Sequence, residues 1–341
     1  MFIIIHGPLE RNFLLHNLSN IKKTLPNSKL IISAYDKDIA EIESLCDENY
    51  HNNGIKNRIK IISNTDIFNP GFFNINRQIN LINTALREIP NESDFIIKVR
   101  MDQTINYKKF IDIYNNKKKF LHDKLITTNC YTRKDRMYHP SDMFLAGTRK
   151  TLMNYYPKRY FTETHMDCLL RIRELVRNGK TDTLHLFWPE SRLFLNYLNN
   201  IGEITLNTKE DSEDKLKKHI YIINSWDIGL RWKKFINGKI YVLPYFFVME
   251  PFPGGPLENA KNYLASELIG HRKIIKENIM DYISRIYFRM EIYRFNVDLY
   301  NKKEILISSL KRVFDSSYKF LPPILHPLMY KLAKRVYYVF K

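Results

Sequence analysis

The chain has 341 residues, 44% of them hydrophobic and 13% aromatic, which is ample for a packed core and excludes a disordered chain. Its three cysteines, Cys46, Cys130 and Cys168, sit at spacings that match no metal site, so a disulfide scaffold is excluded and a reducing compartment fits. The net charge is +18, and residues 271–341 carry +9 of it, with 15 Lys or Arg against 6 Asp or Glu, a surplus suited to nucleic acid, an anionic membrane or phosphate-bearing substrates.

From the amino end, Phe2 to Ile5, Lys29 to Ser33 and Ile59 to Ser63 are short β-branched runs separated by helix-compatible stretches, the alternation of a parallel sheet. Met1 leads straight into the first run with no signal-peptide pattern, and no apolar run approaches the ~20 residues of a membrane-spanning helix, which predicts a cytoplasmic protein. Ile75, Ile79, Ile82, Leu86 and Ile89 recur at helical spacing until Pro90-Asn91 stops them. Phe95 to Val99 is the next strand, so residues 1–102 read as a βαβαβαβ half. Leu125 to Thr128 and Met143 to Ala146 predict further strands, and Thr148 to Tyr155 a short helix. Trp188-Pro189-Glu190 opens another helix, with Pro in the first turn and Leu193, Tyr197 and Leu198 on its apolar side. Residues 207–218 read as a polar surface excursion, and 220–248 are rich in aromatic and β-branched residues. Pro251 to Pro256 marks a boundary between an α/β domain over 1–250, with halves 1–102 and 103–250, and a basic helical region over 257–341. In its last helix Leu328, Leu332, Val336 and Val339 form one stripe, with Lys331, Lys334, Arg335 and Lys341 mainly elsewhere. That helix either packs on the domain or meets anionic lipid, where each basic residue adds about 1 kcal/mol.

Two carboxylates beside strands carry the functional reading. Asp102 closes the run Phe95 to Val99, Arg100, Met101, and Asp142 ends His139-Pro140-Ser141-Asp142 just before the Met143 strand. Open α/β sheets build their crevices at such places, although a lone Asp there equally starts a turn. After the first strand comes His6-Gly7-Pro8, whose Gly lets backbone approach a ligand, with no G-x-G-x-x-G to signal a dinucleotide. Arg77, within Asn76-Arg77-Gln78, lies off the apolar stripe at a helix start, suited to a diphosphate or simply solvated. Lys98, Arg100 and Asp102 alternate onto one face, either a nucleotide-diphosphate surface or a self-satisfied ion-pair ladder. Glu190 follows Pro189 where the helix dipole keeps a carboxylate ionised, as a base in a crevice or as a helix-stabilising Glu. The histidines have no paired zinc spacing.

In order along residues 3–200, His6-Gly7-Pro8, Leu25-Pro26-Asn27-Ser28 leading to Ile31 through Tyr35, Asn69-Pro70-Gly71, Asn76-Arg77-Gln78, Ile97 through Asp102, Tyr131-Thr132-Arg133, His139-Pro140-Ser141-Asp142 and Pro189-Glu190 resemble the WavE family of lipopolysaccharide-synthesis proteins. The resemblance implies a GT-A-like fold and a glycosyltransferase that moves a sugar from a nucleotide-sugar donor to a lipid-linked, lipopolysaccharide, lipooligosaccharide or capsule glycan, at the cytoplasmic face of the inner membrane. Carried onto this chain, it puts Gly7, Pro8 and Tyr35 at the nucleotide, Arg77, Lys98 and Arg100 at the donor's diphosphate, Gln78 among the donor-binding residues, and Asp102 on the donor sugar or on a Mn2+ or Mg2+ ion. Glu190 is the first choice for the base and Asp142 the second, with His139 and Ser141 toward the acceptor. Only one carboxylate follows Arg100, where metal-dependent GT-A enzymes have a paired Asp-x-Asp, so metal use stays open. If the carboxylates do not converge, a single displacement by one base is expected. The alternatives are a catalytically silent glycan-binding or scaffold protein on the same fold and, more remotely, a nucleic-acid-binding protein, which the absence of any nucleic-acid motif disfavours.

Overall fold

The computed structural model describes residues 1–50, 58–121, 123–134, 136–225, 227–233, 247–249 and 259–261. The chain divides into two compact units, one of residues 1–230 with 244–274 and one of 231–243 with 275–341; of the second only residues 231–233 are described. The boundary at 251–256 and the basic amphipathic region expected beyond it lie outside the described residues, apart from 259–261.

The first unit opens with strand β1 (Phe2–His6), helix α1 (Arg11–Thr24), β2 (Lys29–Tyr35), α2 (Asp36–Tyr50), β3 (Ile59–Asn64), α3 (Ile75–Arg87) and β4 (Phe95–Arg100). A two-residue strand β5 (Gln103–Thr104), α4 (Tyr107–Leu121), β6 (Leu125–Thr128), β7 (Phe144–Thr148), α5 (Arg149–Tyr155), α6 (His165–Arg177), α7 (Pro189–Asn200), α8 (Lys209–His219) and β8 (Ile220–Ile223) follow. Seven strands form one sheet in the order β3-β2-β1-β4-β7-β6-β8, the helix-flanked, mostly parallel α/β architecture expected from the sequence. Two further short segments, Phe247–Met249 and Asn259–Lys261, pair antiparallel to each other.

The core follows from the sequence pattern. β1 is apolar at four of its five positions and buried throughout, as a central strand covered on both faces must be. On α3, Ile75, Ile79, Ile82 and Leu86 turn one stripe onto Ile4, Ile31 and Ile96 of the sheet. α7 adds Leu193, Phe194 and Leu198 to the same core. At α3's first turn the buried Asn76 donates to the carbonyls of Asn69 (3.2 Å) and Phe161 (2.8 Å) and accepts from the Phe161 N–H (2.8 Å), clamping two loops to the helix.

Two elements differ from expectation. Residues 207–218 are mostly the helix α8, made by the Thr208 cap, acidic Glu210 and Asp211 in the first turn and basic Lys217 and Lys218 in the last. It buries only Ser212 and Leu216, too few apolar positions for a helical stripe to be read. β7 is antiparallel to both of its neighbours, β4 and β6. Val99 faces Phe144, so the start of β7 meets the carboxyl end of β4, and Asp142 reaches that sheet edge by preceding its strand.

Asn76→Ala should lower unfolding stability by about 1–3 kcal/mol, because it leaves the part-buried Phe161 N–H unpaired; urea unfolding measures this, and a change below about 0.5 kcal/mol would mean the clamp carries no load.

Candidate functional site

The carboxyl ends of β1, β2 and β4 and the start of β7 share one sheet edge, since His6 is level with Ser33 and with Arg100. At the end of β1, Gly7 takes φ +120° and donates its N–H to the Ser33 carbonyl (3.2 Å), while Met101 donates to the His6 carbonyl (2.7 Å). A side chain at Gly7 would be strained at that φ, so the bare backbone is required there. Pro8 continues this turn, and Tyr35 ends β2 beside it, its phenol pushed up to about 12 by burial and then by Asp66. His6 is buried, neither ring nitrogen has a hydrogen-bond partner among the described residues, and burial with Lys98 and Arg100 nearby keeps its imidazole neutral.

β4 is a central strand, and its two basic residues have different fates. Lys98 is fully enclosed, donates from Nζ to the Asp142 carbonyl oxygen, and is lowered to about 7 by burial despite Asp142. It is an interior tie rather than the diphosphate-facing side chain expected from alternation. Arg100 keeps 32% of its side chain exposed and is held by Asp102 through Nε (3.0 Å) and Nη2 (3.1 Å). Burial opposes its charge, but Asp102 outweighs that and the guanidinium stays cationic.

Residues 129–143 join β6 to β7 across the same edge. Thr132 Oγ1 donates to the Thr128 carbonyl (2.6 Å) and accepts from the Ser141 N–H (2.9 Å), and Thr127 Oγ1 donates to the Ser141 carbonyl (2.6 Å). Tyr131 (φ 69°) and Tyr138 (φ 53°) are left-handed, strain that concentrates where geometry is dictated by function. This loop delivers Asp142, with Gln78 of α3 bonded to the carboxylate and also donating to the Tyr156 hydroxyl (3.3 Å). Ser191 of α7 donates to the Met137 carbonyl (2.9 Å), fixing the helix whose first turn carries Glu190.

Asp142 and Glu190 therefore converge, and their environments split them. Burial, and next the charge of Glu190, raises Asp142. Burial also acts against charge on Glu190, but His139, 3.3 Å from Oε2, and the α7 amino end overcome it and hold the carboxyl at about 2. Pairs pushed apart in this way are how sites assign acid and base roles. His139 Nδ1 lies 3.1 Å from the Tyr131 carbonyl, which can only accept, so that nitrogen carries a proton. Its Nε2 lies between Glu190 and Arg136 Nη1 (3.4 Å), and the Arg136 guanidinium covers the Trp188 ring at 3.4 Å.

Three further placements, after that of Lys98, differ from the sequence reading. His139 and Ser141, expected toward the acceptor, are fully buried; His139 holds Glu190 and Ser141 braces the loop. Arg77 is spent on Asp66 (2.8 and 2.6 Å) and Asn74 (3.0 Å), in the neighbourhood of Tyr35 but not joined to Arg100. Asp102, expected on the donor sugar or a metal, gives both oxygens to Arg100, and no group of three or more His, Cys, Asp or Glu is placed to hold a metal among the described residues. Arg136 and Trp188 are site residues that sequence patterning missed: Arg136 lies in no repeat, and Trp188 reads only as a helix-opening aromatic.

The family model described as WavE lipopolysaccharide synthesis matches residues 2–221. No curated protein matches the sequence. Among solved structures, the galactosyltransferase LgtC in complex with donor and acceptor sugar analogues is 10% identical over 66% of this chain and 74% of that one, with a TM-score of 0.34. Mouse xyloside xylosyltransferase 1 is 9% identical over 66% and 85% (TM-score 0.34), and 4-diphosphocytidyl-2C-methyl-D-erythritol synthase from Anaerococcus prevotii is 13% identical over 48% and 78% (TM-score 0.32). Overlaps this loose assign no residue.

The amine of Lys98 titrates near 7 when folded and near its ordinary 10.5 when unfolded, so its burial is fully unfavourable below pH 7 and the cost disappears as pH rises toward 10.5. The stability of the wild type relative to Lys98→Met should therefore rise between pH 7 and 10, by up to about 4 kcal/mol, in paired urea unfolding curves; a pH-independent difference would show that the amine is hydrated when folded.

Proposed function

The chain belongs to the WavE lipopolysaccharide-synthesis family, and on that premise we propose that it is a glycosyltransferase acting at the shared edge of β1, β4 and β7. The observation that carries this reading is the convergence of Asp142, Glu190, Lys98 and Arg100 beyond a glycine turn at the end of the first strand. Carboxylates with opposed shifts, a partly open guanidinium and close backbone approach are what a sugar transfer from a nucleotide diphosphate requires.

In this reading the donor's nucleotide lies over Gly7, Pro8 and Tyr35, and Arg100, aimed by Asp102, faces the diphosphate. The bond between the anomeric carbon and the diphosphate oxygen breaks, the nucleoside diphosphate leaves with the electron pair, and Arg100 offsets the charge that develops on it. The acceptor hydroxyl oxygen forms the new bond and its proton passes to a carboxylate. The sequence ranks Glu190 first for that role. The electrostatics favour Asp142, because a carboxyl held at about 2 is a weak base at neutral pH whereas a raised one is stronger. Glu190 is then the fixed anion that keeps Asp142 basic, with His139 and Arg136 behind it. Gln78 orients Asp142. The acceptor is a lipid-linked or lipopolysaccharide-type glycan, with capsule glycan the other cell-surface candidate. No helix among the described residues is long and apolar enough to cross a membrane, so approach to such an acceptor at the cytoplasmic face of the inner membrane would be peripheral.

Purified protein incubated with UDP-, GDP-, dTDP- and CMP-sugars plus glycan extract, with Mn2+ or with EDTA, should release nucleotide from one donor. Silence across the panel would favour a glycan-binding or scaffold role instead. With the active donor, Asp142→Asn should lower turnover at least ~10²-fold while the donor still raises the melting temperature; unchanged turnover would remove Asp142 from the mechanism.

A further inference from the structure

Just before α3 the backbone is forced. Gly71 (φ 71°), Phe73 (φ 50°) and Asn74 (φ 64°) are left-handed, three of four consecutive residues, and two of them carry side chains that disfavour it. The strain does not hide an apolar group. Phe73 remains 57% exposed, although Phe72 beside it is buried. The Phe73 ring lies nearly parallel to Trp188, with centroids 5.9 Å apart and planes 16° from each other, and meets His165 edge-on at 5.5 Å. Trp188 also stacks with the Arg136 guanidinium and caps α7, so Glu190 lies within about 7 Å of it along the chain.

A locked, half-open aromatic ring backed by the tryptophan that opens the Glu190 helix, with the polar groups of Asn74 and His165 at its rim, suits a ligand with one apolar face and a polar periphery. A pyranose ring has that form: its axial C–H bonds meet a π face while its hydroxyls seek polar neighbours. We propose that Phe73, backed by Trp188, is the stacking platform for a sugar ring of the acceptor glycan. This rests on the transferase reading of the same edge and adds the acceptor's direction of approach, from the α3 and α7 side. A protein partner covering the same ring is the competing occupant, since Met166 and Leu170 of the neighbouring α6 are also exposed.

Saturation-transfer NMR with the methyl glycosides of glucose, galactose, N-acetylglucosamine and a heptose reads this contact without turnover, so a failed platform and a failed transferase reading are separable. The wild type and Phe73→Trp should saturate the ring C–H protons of at least one glycoside, and Phe73→Ala and Phe73→Gly should weaken that signal at least about fivefold. Glycine adopts the backbone of residue 73 without strain, so Phe73→Gly should lose the sugar contact while its melting temperature stays within about 3 °C of the wild type. No saturation of any glycoside by the wild type, or an undiminished signal in Phe73→Ala, would overturn the proposal. So would a wild-type dimer in sedimentation that Phe73→Ala disperses, which would give the ring to a protein interface.

Discussion

A lysine inside the sheet fixes the geometry of everything around it. Lys98 has no exposed surface, and its Nζ reaches the Asp142 carbonyl oxygen, tying central strand β4 to the end of the loop that precedes β7. An amine in that position is tolerated only because Asp142, Asp102 and Glu190 surround it, and its lowered value near 7 shows that they do not fully offset burial. The carboxylates gathered at the sheet edge are thus bound up with the interior of the fold. Removing one of them disturbs the charge balance of a buried group as well as any chemistry.

Against this balance the two carboxylates above the sheet divide their tasks. Glu190 has the α7 amino end, His139 and Arg136 to keep it anionic; Asp142 has the deeper position and a like charge beside it, and so holds a proton more readily. Arg100 is aimed by both oxygens of Asp102, which gives the edge a positive group held in a fixed direction. A donor diphosphate arriving there would supply the counter-charge that the partly open guanidinium invites.

Much of the framework was legible in the sequence because local pattern and burial agree. β-branched runs predicted β1 to β4 within two residues of their ends, and the four-three spacing of isoleucines found α3. What stayed hidden depends on pairing. Nothing within Met143 to Ala146 states its direction, yet the antiparallel placement of β7 is what carries Asp142 to the carboxyl end of β4. The role of His139 was invisible for a similar reason, since it contacts a residue 51 positions away, and Arg77 looked available because its partner Asp66 belongs to no motif. α8 was missed because a helix with two buried positions leaves almost no apolar period.

The most direct measurement is a crystal structure with the intact nucleotide sugar that thermal shift selects. The account predicts the nucleotide over the Gly7 turn, diphosphate oxygens within hydrogen-bond distance of Arg100, and the anomeric carbon on the side of Asp142. A donor bound elsewhere on the molecule, or one seated at this edge with Asp142 turned away from the sugar, would contradict it.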